Sequence, residues 1–131
     1  MPLPITAIFA GLLALWMVFL LFKVVGFRRG KRVLLGHGDD AHGERLVRAH
    51  ANASENIPIF LILLGLAEGM GTPAWILGVL GGVFLLGRVL HGLHFVTARK
   101  DLTWRFYGML MTLGGIVLTA LGAIGHGLAS L

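Results

Sequence analysis

Four long apolar runs, separated by short polar or charged stretches, set the rhythm of the chain. The first reaches from about Leu3 to Phe27, interrupted only by Lys23 near its end. The second begins inside "RLVRAHANASENIPIF" (Arg45 to Phe60) and continues to about Met70. The third covers about Pro73 to Ala98 and the fourth about Thr103 to Leu128. Each can cross a bilayer, which takes roughly 20 residues of helix. A cleavable leader would start with positive charge and carry a shorter apolar core, so the first run reads as a permanent span. The pattern predicts one domain over 1–131: an all-α, integral membrane four-helix bundle with spans at about 3–27, 46–70, 73–98 and 103–128.

The connections carry the punctuation. "RRGKRVLLGHGDDAHGE" reads as an exposed loop, with helix-breaking glycines and charges of both signs. "GTP" reads as a tight turn, since Pro73 lacks an N–H and suits the start of the third helix. In "ARKDLT", Asp101 or Thr103 is the expected cap of the fourth. Gly65 with Gly69 and Gly78 with Gly82 recur at four-residue spacing, which in lipid points to close helix packing or an oligomer contact.

Composition sharpens the membrane assignment. Of 131 residues 56% are hydrophobic and 13% charged, about half the charge of an ordinary soluble domain. There is no cysteine, hence no disulfide and no thiolate nucleophile or metal ligand from the chain itself. Lys23, Arg28, Arg29, Lys31, Arg32, Arg45 and Arg48 lie around the first connection, and Arg99, Lys100 and Arg105 around the third. The second connection and both ends have none. Short loops rich in Lys and Arg stay cytoplasmic, which predicts basic loops in the cytoplasm and both termini outside. The pI near 10.8 follows from this asymmetry, and no aromatic-studded basic face suggests nucleic acid. Trp75 and Trp104 fall near span ends, where indoles anchor, whereas Trp16 is deep enough to serve packing.

Chemistry concentrates on the second helix. Arg45, Arg48, Asn52 and Glu55 are spaced three, four and three residues apart and share a helical stripe. Glu55 lies about 10 Å deeper than Arg48. An ionisable group at that depth costs roughly 2.5–3.5 kcal/mol, so it should face protein and have a partner. Arg88, about 18 Å before Lys100 on the third helix, is at a comparable depth, which predicts an Arg88–Glu55 pair. That pair is either a structural clasp between helices or one wall of a polar pocket. Arginines suit carboxylates and Glu55 suits an amine, so an amino-acid-like or small-peptide ligand matches the charges. "HGDDAHGE" gathers metal-ligand residue types on a glycine-rich loop without rigid support, and it reads as solvated with no metal site. His91 falls on the Arg88 stripe and joins the pocket.

The second-helix pattern Arg-x-x-Arg-Ala-x-x-Asn-x-x-Glu followed by proline, carried here by Arg45, Arg48, Ala49, Asn52, Glu55 and Pro58, resembles the signature of the MAPEG family. These are membrane-associated proteins of eicosanoid and glutathione metabolism. "GRVLHGLHF" is similar to the family's arginine-led third helix, and the likeness covers nearly the whole chain. It implies a bacterial inner-membrane homotrimer resembling microsomal glutathione transferase. Glutathione, as co-substrate, would bind between subunits near the cytoplasmic face. The likeness places Arg48, Asn52, Glu55 and Arg88 around the tripeptide, with His50 and His91 beside them and Arg28 or Arg29 as a further basic contact. It gives Arg105 in "WRFYGM", with Arg99 second, the role of stabilising the thiolate that attacks a hydrophobic electrophile or lipid drawn from the membrane. Asn56, His91 and Phe95 stand where tyrosines are common in relatives, and Tyr107 lies elsewhere. This departure keeps open a non-catalytic binder of a lipid or protein partner in the same pocket. Four helices with a pocket on one side offer no path for transport.

Overall fold

A computed structural model describes residues 2–131. Four helices make up the fold: α1 (Pro4–Lys31), α2 (Ala41–Gly69), α3 (Ala74–Val96) and α4 (Thr103–Ala129). Both α1 and α2 run past the apolar stretches into the connection, leaving only residues 32–40 outside a helix. Physical causes lie at each end. Arg28, Arg29 and Lys31 fill the last turn of α1, where cations favour the negative end of the helix dipole. At the start of α2, Asp40 accepts hydrogen bonds from the His42 and Gly43 N–H groups. The Gly43 N–H, aided by the Lys31 ammonium at 3.4 Å, holds the Asp40 carboxyl below its ordinary value. Asp40 is therefore a helix cap, the residue type that satisfies orphan N–H groups at such ends.

Helices α2 and α3 form the centre, and α1 and α4 flank them on opposite sides without touching each other. Along α2 the buried positions Leu46, Ala49, Ala53, Ile57, Phe60, Leu64 and Ala67 recur every three or four residues. Phe60 stacks on Phe84 of α3 with ring centroids 3.8 Å apart. Leu13 and Leu20 close the core from α1. Helix α4 adds small residues instead: Gly108, Thr112, Gly115 and Thr119 are its buried positions.

Small residues let α3 and α4 cross closely. A Cβ on Gly108 would stand 2.7 Å from the His91 backbone nitrogen and 2.8 Å from the Gly87 oxygen. One on Gly87 would stand 2.9 Å from the Gly108 oxygen. Gly78 and Gly82 make no close helix contact within the chain, since both positions open onto free space. The packing glycines of α3 are Gly81 and Gly92, which face Phe9 and Trp16 of α1, and Gly87, which faces Met111 and Gly108 of α4.

Helices α1, α3 and α4 are each long and apolar enough to cross a membrane. Helix α2 is as long, but Asn52, Ser54, Glu55 and Asn56 dilute its front half, and it is packed among the other three. Leu12, Leu15, Phe19 and Phe22 on α1, and Phe106, Leu110, Leu113 and Val117 on α4, are exposed apolar side chains. Helical backbones satisfied from within and apolar flanks facing outward are what hydrocarbon requires. The chain is an integral membrane protein.

Glu68, near the end of α2, reaches over to the start of α1. Its two oxygens accept the Ile5 N–H at 2.9 Å and the Thr6 N–H at 2.7 Å, two of the first-turn donors that no helix can satisfy internally. Glu68→Ala should fray this turn while leaving the rest of α1 helical. Hydrogen exchange would show it as several-fold faster exchange at Ile5 and Thr6, with amides beyond Leu13 unchanged.

Candidate functional site

Arg88 is buried to 1% exposure, in the middle of the bundle. It comes from α3 one residue after Gly87, where α3 and α4 run closest. Its Nε donates to the Thr112 hydroxyl at 2.8 Å, one Nη donates to the Asn52 side-chain oxygen, and the other lies 3.8 Å from the Met109 sulfur. Thr112 in turn donates to the Gly108 carbonyl at 2.7 Å, so its lone pairs are left facing the guanidinium. Burying a charge is costly unless it is paired and hydrogen-bonded. Here the hydrogen bonds are made, but the carboxylate is missing: the ion pairs among the described residues are Lys31–Asp40 and Arg99–Asp101.

The Arg88–Glu55 pair expected from matching depths is therefore not formed. Asn52 takes that place. Three residues further along α2, the backbone has turned Glu55 about 60° away from Asn52 at 3.6 residues per turn, and its side chain is exposed. Depth along the two helices was compatible with either partner, and the rotation of α2 decides between them.

Beside Arg88 lies a small cavity of about 140 Å³, lined by Arg48 and Asn52 of α2, His91 and Phe95 of α3, and Arg105 of α4. Two of these pairs are one helical turn apart, Arg48 with Asn52 and His91 with Phe95, which puts both members of each on one face. Arg105 projects from the first turn of α4, and its guanidinium carbon sits 5.5 Å from the centre of the Phe95 ring. His91 is 5% exposed and its ring is 5.1 Å from that of Phe95. Arg48 and Arg105 are exposed. Arg48 and Arg105 thus bring two guanidinium groups to the cavity from two helices, while Arg88 is behind its lining, joined to it through Asn52.

Not every expected residue joins this cluster. His50, turned about 200° from Arg48 around α2, is half-buried and outside the cavity lining. Arg28 and Arg29 line a separate concavity at the end of α1, where the Arg28 Nε donates to the Gly36 carbonyl at 3.1 Å. Thr112 and Met109, which hold Arg88, were not singled out by the sequence. The one available signal was a hydroxyl in an apolar run, four residues after a glycine.

Such a cluster is built to receive anions. An arginine can grip a planar carboxylate through two parallel hydrogen bonds, and Arg48 and Arg105, which line the cavity, have no carboxylate partner among the described residues. Glu55, on the same stripe as Arg48, offers one negative charge to a cation.

Comparison with known proteins gives matches over most of the chain. The family model described as MAPEG family matches residues 6–125. The Inner membrane protein YecN of Escherichia coli (strain K12) is 34% identical over 119 residues, covering 89% of this chain and 88% of that protein. The protein of the same name from Escherichia coli O6:H1 (strain CFT073) matches to the same extent.

Proposed function

Since this chain belongs to the MAPEG family, we propose that it is a membrane-bound, glutathione-dependent transferase or peroxidase acting on hydrophobic electrophiles. The observation that carries the proposal is Arg88: a fully buried guanidinium, oriented by Thr112 and Asn52, with no carboxylate of its own beside a cavity that gathers two more arginines. Glutathione supplies what is missing. Its two carboxylates match Arg48 and Arg88, its ammonium matches Glu55, and its sulfur is left for Arg105. As a thiolate it carries a net charge of about −2, opposite to three arginines and one glutamate.

A thiol of ordinary pKa is only a few per cent ionised at neutral pH, and the thiolate is the nucleophile. A guanidinium close to sulfur stabilises that anion, at about 1.4 kcal/mol for each pKa unit lowered. The protein then needs no nucleophile of its own, in keeping with a chain free of cysteine. Attack on an electrophile held at the apolar flank of α4, where Phe106, Leu110 and Leu113 are exposed, would form a thioether and expel the leaving group.

One protomer offers only part of such a site. Its cavity of about 140 Å³ is below the roughly 300 Å³ at which ligand pockets begin. Arg48, Glu55, Ile59, Ile62 and Leu66 form an outward stripe on α2, with an unpaired carboxylate in its middle. Facing hydrocarbon, that carboxylate would be costly, whereas facing a second copy it would complete a pocket. We therefore place glutathione between subunits of a homotrimer. The basic loops lie in the cytoplasm and the termini outside, as the Lys and Arg bias directs. The relatives in Escherichia coli are inner membrane proteins by name, which supports the same location for this chain.

Isothermal titration of glutathione into the detergent-solubilised protein tests binding, with Glu55→Gln run in parallel. Saturable heat that weakens at least tenfold in Glu55→Gln is expected. No heat from either protein overturns the proposal. Turnover is tested separately with an activated aromatic halide. Arg105→Ala should slow conjugation roughly 10- to 100-fold as the bound thiol's pKa rises by about one to two units. Phe95, where relatives commonly carry tyrosine, favours one second reading: a binder without chemistry. Glutathione binding with no turnover, unaltered in Arg105→Ala, would select it.

A further inference from the structure

Lys23 closes the apolar run of α1 and has no role in the arginine cluster. It lies eight residues before Lys31, about 12 Å deeper along the helix, and no carboxylate pairs with it among the described residues. The Phe19 ring centre lies 5.1 Å from its ammonium. A lone ammonium at that depth needs a counter-anion.

The space for one is there. A cavity of about 620 Å³ opens beside Lys23, between the basic end of α1 and the first turns of α2. Phe22, Phe27 and Leu46 give it apolar walls, and Lys31 and His42 stand at its rim. Gly26 and Gly30 form its floor on α1, and a Cβ at either would meet nothing within 4 Å. Lys31 is already engaged by Asp40 at 3.4 Å, which leaves Lys23 as the free cation. A groove with greasy walls and an exposed cation that no carboxylate pairs with, set towards the end of the first span, matches a phosphodiester carrying acyl chains. Basic pockets between helices at the membrane boundary hold such headgroups.

We propose that this groove binds the headgroup of an anionic phospholipid, with Lys23 on the phosphate and an acyl chain against Phe22 and Phe27. The site is independent of the glutathione reading.

The test follows thermal unfolding of the protein in neutral detergent while dioleoyl phosphatidylglycerol, dioleoyl phosphatidylcholine or inorganic phosphate is added. Phosphatidylglycerol should raise the midpoint saturably by about 5 °C, and the other two should not. Lys23→Gln should lose most of that rise, whereas Lys100→Gln, which removes the same charge from another basic loop, should keep it. Gly26→Leu, which fills the groove without changing charge, should lose it too, so the outcome does not hang on one variant. Three results overturn the proposal. One is an equal rise with phosphatidylcholine. Another is an equal rise with inorganic phosphate, which would mark a bare anion site. The third is a phosphatidylglycerol response that Lys23→Gln and Gly26→Leu both retain.

Discussion

Gly108→Ala should unfold the protein at a temperature about 10 °C lower, while the same change at Gly122 should raise it slightly. Alanine is the better helix former by about 0.8–1.0 kcal/mol, so on propensity alone both would stabilise. What separates them is space. The added methyl at Gly122 meets nothing within 4 Å. At Gly108 it would stand 2.7 Å from the backbone nitrogen of His91 and 2.8 Å from the carbonyl of Gly87, and neither can swing aside as a side chain would. Relief requires moving α3 away from α4. Overpacking typically costs about 1–3 kcal/mol, and the upper end applies when backbone must shift. For a chain of this size that amounts to about 10 °C in midpoint. The shift also pulls Arg88 from Thr112, so glutathione affinity should fall together with stability. Differential scanning fluorimetry on both variants checks the first part and titration the second. Equal midpoints for Gly108→Ala and wild type would mean that the helices do not cross as closely as described.

Arg88→Met should separate the two effects: abolish binding and spare the fold. Replacing a buried charge by an apolar side chain of similar length is often neutral or stabilising, because the desolvation penalty disappears with the charge. The partners survive its loss, since Thr112 still donates to Gly108 and Asn52 is only half-buried. The lost interaction is with the ligand's carboxylate. Truncating one partner of a buried charge pair costs roughly 2–5 kcal/mol in binding, about 30-fold or more in affinity. Asn52→Ala is the informative counterpart. It leaves the guanidinium buried with one fewer acceptor, and a hydrogen bond to a charged group contributes about 1.5–3 kcal/mol. Asn52→Ala should thus be less stable than Arg88→Met, although it removes the smaller and less charged side chain. If Arg88→Met proves the less stable of the two, Arg88 is a clasp and not a receptor.

How far the sequence foretold this can be judged residue by residue. Four helices followed from hydropathy, and the stripe Arg48, Asn52, Glu55 followed from helical spacing, because both depend on one helix at a time. Partners across helices depend on how each helix is rotated, and no periodicity within one helix reports that. Glu55 and Asn52 are both deep enough to meet Arg88, yet only Asn52 faces it. Glycine spacing likewise drew attention to Gly78 and Gly82, whereas the close crossing uses Gly87 and Gly108, each from a different helix. His50, Arg28 and Arg29 rested on resemblance alone, and the chain does not bring them to the cavity lined by Arg48 and Arg105. His91 was placed by its three-residue offset from Arg88, a relation internal to α3, and it lines the cavity as that offset implies.

The reach of Glu68 to the start of α1 bears on the order in which the protein is made. Ile5 leaves the ribosome 63 residues before the carboxylate that will cap it. At about 5–20 residues per second, the first segment waits about 3–13 s for that partner. During that interval its leading amides have only water to bond to, which keeps that tip at the aqueous edge of the bilayer. Closure of the hydrogen bonds between Glu68 and α1 then marks the moment at which the first hairpin is complete, and two further segments are still to be threaded.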